Sequence, residues 1–209
     1  EMKNRFLSNM SHAIRVPLNG VLGFSQIIAN EVEIDEPTRK EYADIIQQNT
    51  EQLMRLVNNV LDLSRLEAGM MKFQLSDYDI VQLCKDSVGM AQMQNPTLHI
   101  HFYSDIDEYI VYTDTNRMMQ LIVSILTCPS PSFKEERDFQ FTLDKNGEIL
   151  CFKVTNSPLA DLNYANQDSA LRNDVNLLLL KHFGGTYQVI HDGKEGPTIL
   201  FTYPATSTE

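Results

Sequence analysis

Two apolar stripes of helical period, each about 30 residues long and separated by a short break, constrain this chain more than any other feature. In the first, Phe6, Met10, Ile14, Leu18, Val21, Leu22, Phe24, Ile27 and Ile28 recur mostly three, four and seven residues apart, so residues 1–30 read as one helix. Pro17 removes a backbone donor inside it and is expected to kink it. The stretch from Glu31 to Thr38 interrupts the pattern. There Asp35 is suited to cap a second helix, with Pro37 in its first turn. The second stripe runs from Tyr42 through Ile45, Ile46, Asn49, Leu53, Leu56, Val57, Val60, Leu61 and Leu63 to Leu66, and stops at Gly69. Two such helices on a short connection make an antiparallel hairpin. A hairpin of that length has no core of its own, because each helix carries more apolar surface than one partner covers. A second copy completes a four-helix bundle, so a homodimer is the expected state.

From residue 71 the periodicity changes. KFQLSDYDIVQLCKDSVGMAQMQ reads as a short strand followed by a helix, with Asp77 or Asp79 near its N-cap, and HIHFYSD and EYIVYTD alternate like strands. Asp114 and Thr115 open a helix over TNRMMQLIVSILT that Pro129 and Pro131 stop. FQFTL and ILCFKVT, around Asp-Lys-Asn-Gly, form a hairpin. An apolar helix near 169–183 ends at Gly184-Gly185, and TYQVIHD and TILFTYP close the chain as a second hairpin. The expected fold class is α+β: a dimeric helical hairpin over residues 1–70, then an α/β sandwich over 71–209 with helices on one sheet face. Met90, Met93, Met118 and Met119 are expected to fill its core.

Composition narrows the function classes. The net charge is −11, with −2 in residues 1–72 and −9 in 73–209, which disfavours nucleic acid and anionic membranes as partners. Cys84, Cys128 and Cys151 are few and widely spaced, as in a reducing compartment. His99 and His101 alternate on a strand and share a face, but without a third ligand they read as ordinary strand histidines, and no metal site is expected. His182 and His191 carry no motif. No apolar run approaches membrane length, and Glu1 opens directly into helical sequence, as a piece of a longer chain would. A cytoplasmic location is expected, with membrane attachment only through an upstream segment.

The stretches Phe6-Leu7-Ser8-Asn9-Met10-Ser11-His12 and Ile14-Arg15-Val16-Pro17-Leu18-Asn19-Gly20 resemble the phosphoacceptor box of two-component sensor histidine kinases. NNVLDLSRLEAG resembles the end of the second helix of their dimerisation domain, and residues 71–209 are similar to their ATP-binding domain. The resemblance implies that His12 is the phosphoacceptor and that Arg15, Val16, Pro17 and Leu18 lie on the surface where a response regulator receiver domain docks. It also marks departures. The acid that usually follows the histidine is Ala13, and the Thr or Asn four residues after the histidine is Val16.

In the second domain, the two magnesium-helix asparagines and the basic residue after them correspond to Ser124, Cys128 and Pro131. A thiol is a poor ligand for magnesium, which favours oxygen. The adenine-reading Asp corresponds to Asn156, and the glycines that follow it to Pro158 and Ala160. Asp168, Ala170 and Arg172 stand where three glycines open a phosphate-cradling helix, only 12 residues after Asn156. Glycine serves where backbone needs positive φ or close approach, and an aspartate at a helix start repels phosphate. The expectation is a transmitter core that relays phosphoryl through His12, has lost ATP binding and carries no cofactor. ATP and Mg²⁺ enter only under one alternative, an active autokinase with a divergent site. The other alternative is a non-catalytic pseudokinase that docks a response regulator.

Overall fold

The structure, a computed structural model, describes residues 2–31, 33–127, 136–163, 167–192 and 194–205. It divides into two compact units, residues 1–68 and 69–209. The first is an antiparallel pair of helices, α1 (Met2–Asn30) and α2 (Glu36–Glu67). Helix α1 continues through Pro17 as a single element. Asp35 caps α2 by accepting the Thr38 N–H at 3.1 Å, and a tilted ring pair, Phe24 on Tyr42 at 5.3 Å, joins the helices. Gly20 makes room for the side chain of Asn49; a Cβ there would stand 2.8 Å from Asn49 Oδ1. Leu56 and Leu63 are buried, whereas Leu18, Leu22, Met54, Val57 and Leu61 stay exposed. These exposed residues lie roughly a quarter to half a turn round from the packed stripe on each helix. Because the helices run antiparallel, both displacements point to the same side of the hairpin.

The second unit holds β1 (Leu75–Asp79), α3 (Ile80–Gln94), β2 (Leu98–Ser104), β3 (Ile110–Asp114) and α4 (Thr115–Leu126). Strands β4 (Arg137–Asn146) and β5 (Ile149–Thr155) follow, then a 3-10 turn at Pro158–Ala160, α5 (Gln167–His182), β6 (Tyr187–Ile190) and β7 (Thr198–Pro204). Five strands form one sheet in the order β2-β4-β5-β7-β6, with β2 parallel to β4 and the remaining pairs antiparallel. Strands β1 and β3 make a separate two-stranded ladder. The period-2 rule places Phe139, Phe141 and Leu143, Leu150, Phe152 and Val154, and Ile199 and Phe201 on one face, all buried. Ile80, Leu83, Met118, Leu121, Ile122, Leu171 and Leu180 supply the helical side of that core, and Phe152 stacks flat on Phe201 at 4.5 Å.

Several expectations shift. The first strand lies on LSDYD, and of the two cap candidates it is Asp79, not Asp77, that caps α3 by accepting from Val81 and Gln82 N–H. The Asp-Lys-Asn part of the expected turn extends β4, so the chain reverses at Gly147, which takes φ 62°. Met118 is buried as expected, but Met93 is 84% exposed and Met90 is exposed too, because both lie on the side of α3 away from buried Cys84, Val88 and Ala91. Pro129 and Pro131 lie outside the described residues.

Candidate functional site

The phosphoacceptor stretch lies wholly within α1. Ser11 is exposed and Ala13 buried on either side of His12, whose side chain lies outside the described residues. One turn further on, Arg15, Val16 and Leu18 are exposed while Pro17 is buried, so three of the four residues assigned to docking share solvent access. Ala13, at 7% exposure, offers no group to accept a proton.

In the second unit the candidate site gathers at the end of β5. Asn156 takes φ 56°, the only described non-glycine residue with positive φ. Asn and Asp tolerate that left-handed conformation better than most residues. Positive φ therefore falls on Asn156 itself, and Pro158 and Ala160, which the resemblance places where glycines belong, build a buried 3-10 turn. Both ends of the Asn156 amide are engaged. Nδ2 donates to the Asp138 carbonyl at 2.9 Å, and Oδ1 accepts from Arg137 Nη2 at 3.1 Å. Arg137 shares the parity of Phe139 and Phe141, so β4 sends its side chain to the helix-covered face.

The same Nη2 donates to Asp161 Oδ2 at 2.5 Å, with side chains only 16% and 10% exposed. Burial pushes the Asp161 carboxyl up, but Arg137 and the Asn163 N–H outweigh it and hold the group below the usual carboxylate range. Further bonds fix the turn. Ser157 N–H donates to the Pro197 carbonyl at 2.8 Å, and His191 Nδ1 donates to the Ala160 carbonyl at 2.7 Å. The Ser157 hydroxyl is fully buried and has no partner among the described residues. Arg137, Asp161 and His191 carry no motif signal, because they lie up to 54 positions apart and meet only through the sheet.

The remaining positions are spread over two helices. Ser124 is half-buried on α4, and Cys128 lies outside the described residues. Asp168, Ala170 and Arg172 belong to the first turns of α5, with the Asp168 side chain outside the described set. Arg172 Nη2 donates to Thr127 Oγ1 at 2.9 Å, joining α5 to the residue that caps the end of α4. His99 and His101 both face solvent on β2, and His101 Nε2 lies 3.3 Å from Asp138 Oδ1. Among the described residues no group of three or more His, Cys, Asp or Glu could hold a metal, and no helix is long and apolar enough to cross a membrane.

Comparison with known proteins follows the same division. Residues 2–69 match the His Kinase A (phospho-acceptor) domain. Over 129 residues the chain is 32% identical to hybrid signal transduction histidine kinase G of Dictyostelium discoideum, covering 60% of this chain and 4% of that protein. The fold matches Acinetobacter baumannii histidine kinase AdeS with a TM-score of 0.72 at 15% identity, over 94% of this chain and 98% of that one. It also matches histidine kinase ThkA, solved in complex with response regulator protein TrrA, with a TM-score of 0.68 at 14% identity, over 96% and 61% of the two chains. At these identities the structural likeness speaks for the fold. A phosphoacceptor helix pair followed by a five-stranded layer defines a kinase core of the histidine class. These findings support a two-component sensor histidine kinase core, with residues 2–69 as its His Kinase A domain. It spans between 4% and 25% of the length of eight curated relatives.

Proposed function

We propose that this chain is the homodimeric transmitter core of a cytoplasmic two-component protein in which His12 relays phosphoryl and the sheet unit has lost ATP binding. The observation that carries the second half is Asn156. An amide that recognises adenine must turn its acceptor to the purine, and here Oδ1 receives the Arg137 guanidinium while Nδ2 is spent on a backbone carbonyl. A purine amino group would have to share Oδ1 with that guanidinium, which the ion pair with Asp161 holds in place. A second arginine, Arg172, replaces a glycine of the phosphate cradle and spans from α5 to Thr127. These residues do not fit Mg-ATP, so no step is routed through it.

Relay asks less of the chain. A histidine with an ordinary pKa near 6.5 is mostly neutral above about pH 7 and has a free nitrogen lone pair. That nitrogen attacks the phosphorus of a receiver's aspartyl phosphate; an N–P bond forms, the P–O bond breaks, and the carboxylate leaves. The second ring nitrogen keeps its proton, so Ala13 is no handicap, and the receiver brings its own magnesium. The exposed face of Leu22, Met54, Val57 and Leu61 supports pairing with a second copy. ThkA, with the same fold, was solved with a response regulator protein, and the exposed Arg15, Val16 and Leu18 offer a comparable surface here.

Two measurements test this. Incubation with labelled phosphorylated receivers is expected to label the chain, and His12→Ala to abolish the label. No transfer to the wild type from any receiver tried counts for the docking-only pseudokinase. Calorimetric titration with Mg-ATP is expected to give no heat of binding. Micromolar affinity would overturn the loss of the nucleotide site and restore the autokinase.

A further inference from the structure

Residues 70–74 carry the chain from α2 into the sheet unit, and two of them are fastened to different helices. The Phe73 ring stacks on His182 at 4.7 Å and 21°, and meets Phe183 edge-on at 5.0 Å. Phe183 leans on Tyr203 at 5.7 Å, and the Tyr203 hydroxyl donates to buried Thr113 at 2.7 Å, so this anchor is rooted in the core. The next residue, Gln74, donates its N–H to Asp114 Oδ2 at 2.9 Å. The other oxygen of that carboxylate caps α4 by accepting the Arg117 N–H at 3.0 Å. The connecting segment thus grips the last turn of α5 and the first turn of α4.

At their far ends the two helices are joined again. Among its contacts, Arg172 in the second turn of α5 donates to Thr127 just beyond α4. From Asp114 to Thr127 is about 20 Å of helix, and from Arg172 to His182 about 15 Å, so the two arms are comparable and run in opposite directions. The contacts close a ring: Gln74, Asp114, α4, Thr127, Arg172, α5, His182, Phe73.

We propose that this ring is a built-in coupling device, in which Arg172 bolts α5 to α4 and thereby fixes the setting of the connecting segment. A glycine at position 172 would leave the start of α5 to be held by whatever ligand lay there. Arginine makes the junction permanent, so the segment leaving α2 meets a rigid anchor instead of a ligand-dependent one. Any pull on Phe73 reaches Thr127 through α5, and any loosening of Arg172 reaches Gln74 by both arms. The coupling stands whether or not His12 carries phosphoryl.

Hydrogen exchange on the whole chain reads it directly. Arg172→Met removes the donors and keeps helix propensity and stem packing. Exchange is expected to quicken about fivefold in peptides covering 70–75 and 179–185, far from the substitution. The central strand β5 serves as the internal control and is expected to be unchanged. Thr127→Val, which deletes that acceptor and with it the hydroxyl's own bond to the Val123 carbonyl, is expected to give the same pattern, and it decides the matter should Arg172→Met unfold the unit. In the reverse direction, Phe73→Ala is expected to quicken the first turns of α5. Loosening confined to the start of α5 in the Arg172 and Thr127 variants, with 70–75 as protected as before, would overturn the coupling.

Discussion

Asn49 in the hairpin and Asn156 in the sheet unit are both polar residues placed among apolar neighbours, and the chain treats them differently. Asn49 donates to the Ile45 carbonyl at 2.8 Å and lays its oxygen in the space that Gly20 leaves by lacking a side chain. Asn156 has a guanidinium on its oxygen and a carbonyl on its nitrogen. The hairpin has kept a glycine of its motif, and local fit depends on that missing Cβ. In the sheet unit the resemblance places glycines at 158, 160, 168, 170 and 172, where this chain has other residues, and the fit there depends on arginines that bridge between elements. One region leans on a missing Cβ; the other leans on long charged side chains.

The sharpest way to break that contrast is at a glycine the sheet unit still needs. A Cβ on Gly185 would sit 2.1 Å from the Thr202 backbone oxygen, and backbone in the middle of β7 cannot yield as a side chain can. Gly185→Ala is expected to cost about 3 kcal/mol or prevent folding of the unit, read by urea denaturation. A near-neutral result would mean that the β6–β7 edge is looser than its contacts imply.

Arg137→Ala comes next. Breaking a fully buried pair costs about 3–5 kcal/mol; these two side chains keep some solvent, so about 2 kcal/mol is expected. The pair also carries a pH signature. Because the folded Asp161 carboxyl titrates below its ordinary range, its contribution is whole above the unfolded value near 3.9 and disappears as pH falls through the folded one. Between about pH 5 and pH 3 the urea midpoint of the wild type is expected to fall more steeply than that of Arg137→Ala. Parallel slopes would remove the ion pair from the account of the site. A smaller effect belongs to Gly196, which holds φ 84° with Asn156 Oδ1 3.6 Å from its Cβ position. There is room for a methyl, so Gly196→Ala should cost only the left-handed backbone, about 1–2 kcal/mol, with the Asn156 bonds intact by hydrogen exchange.

The two regions also differed in how far their sequences could be read. Hairpin boundaries, the Asp35 cap and the exposed apolar face follow from period and capping rules that act within a few residues. Asp114 and the β4–β5 hairpin were legible for the same reason, although Asp79 was one of two cap candidates and the reversal lies at Gly147. What a local pattern cannot carry is the partner across the sheet. Asn156 stood out by the resemblance, but Arg137 and His191 were invisible, because a motif marks a departure at one position and not which distant residue meets it. Asp114 likewise read only as a cap, although its second oxygen holds Gln74. The departure of β1 and β3 from the main sheet was hidden too, since alternation marks a strand without naming its neighbour.

The smallest expected effect is the most discriminating, because opposite terms nearly cancel. Gly20→Ala inside α1 gains about 1 kcal/mol of helix propensity. Its methyl, however, must displace the Asn49 side chain, which is the end of a flexible residue and can move, at the loss of a bond to Ile45 worth about 1 kcal/mol. The net change is therefore expected within about 0.5 kcal/mol of zero. Asn49→Ala alone should lose the bond, and the double variant should be more stable than the two single changes added together, since the methyl then enters vacated space. A loss of 2 kcal/mol or more from Gly20→Ala in thermal unfolding, not relieved by Asn49→Ala, would show that α1 cannot spare the glycine for backbone reasons. The hairpin would then be as rigidly filled as the sheet unit, and the contrast between them would collapse.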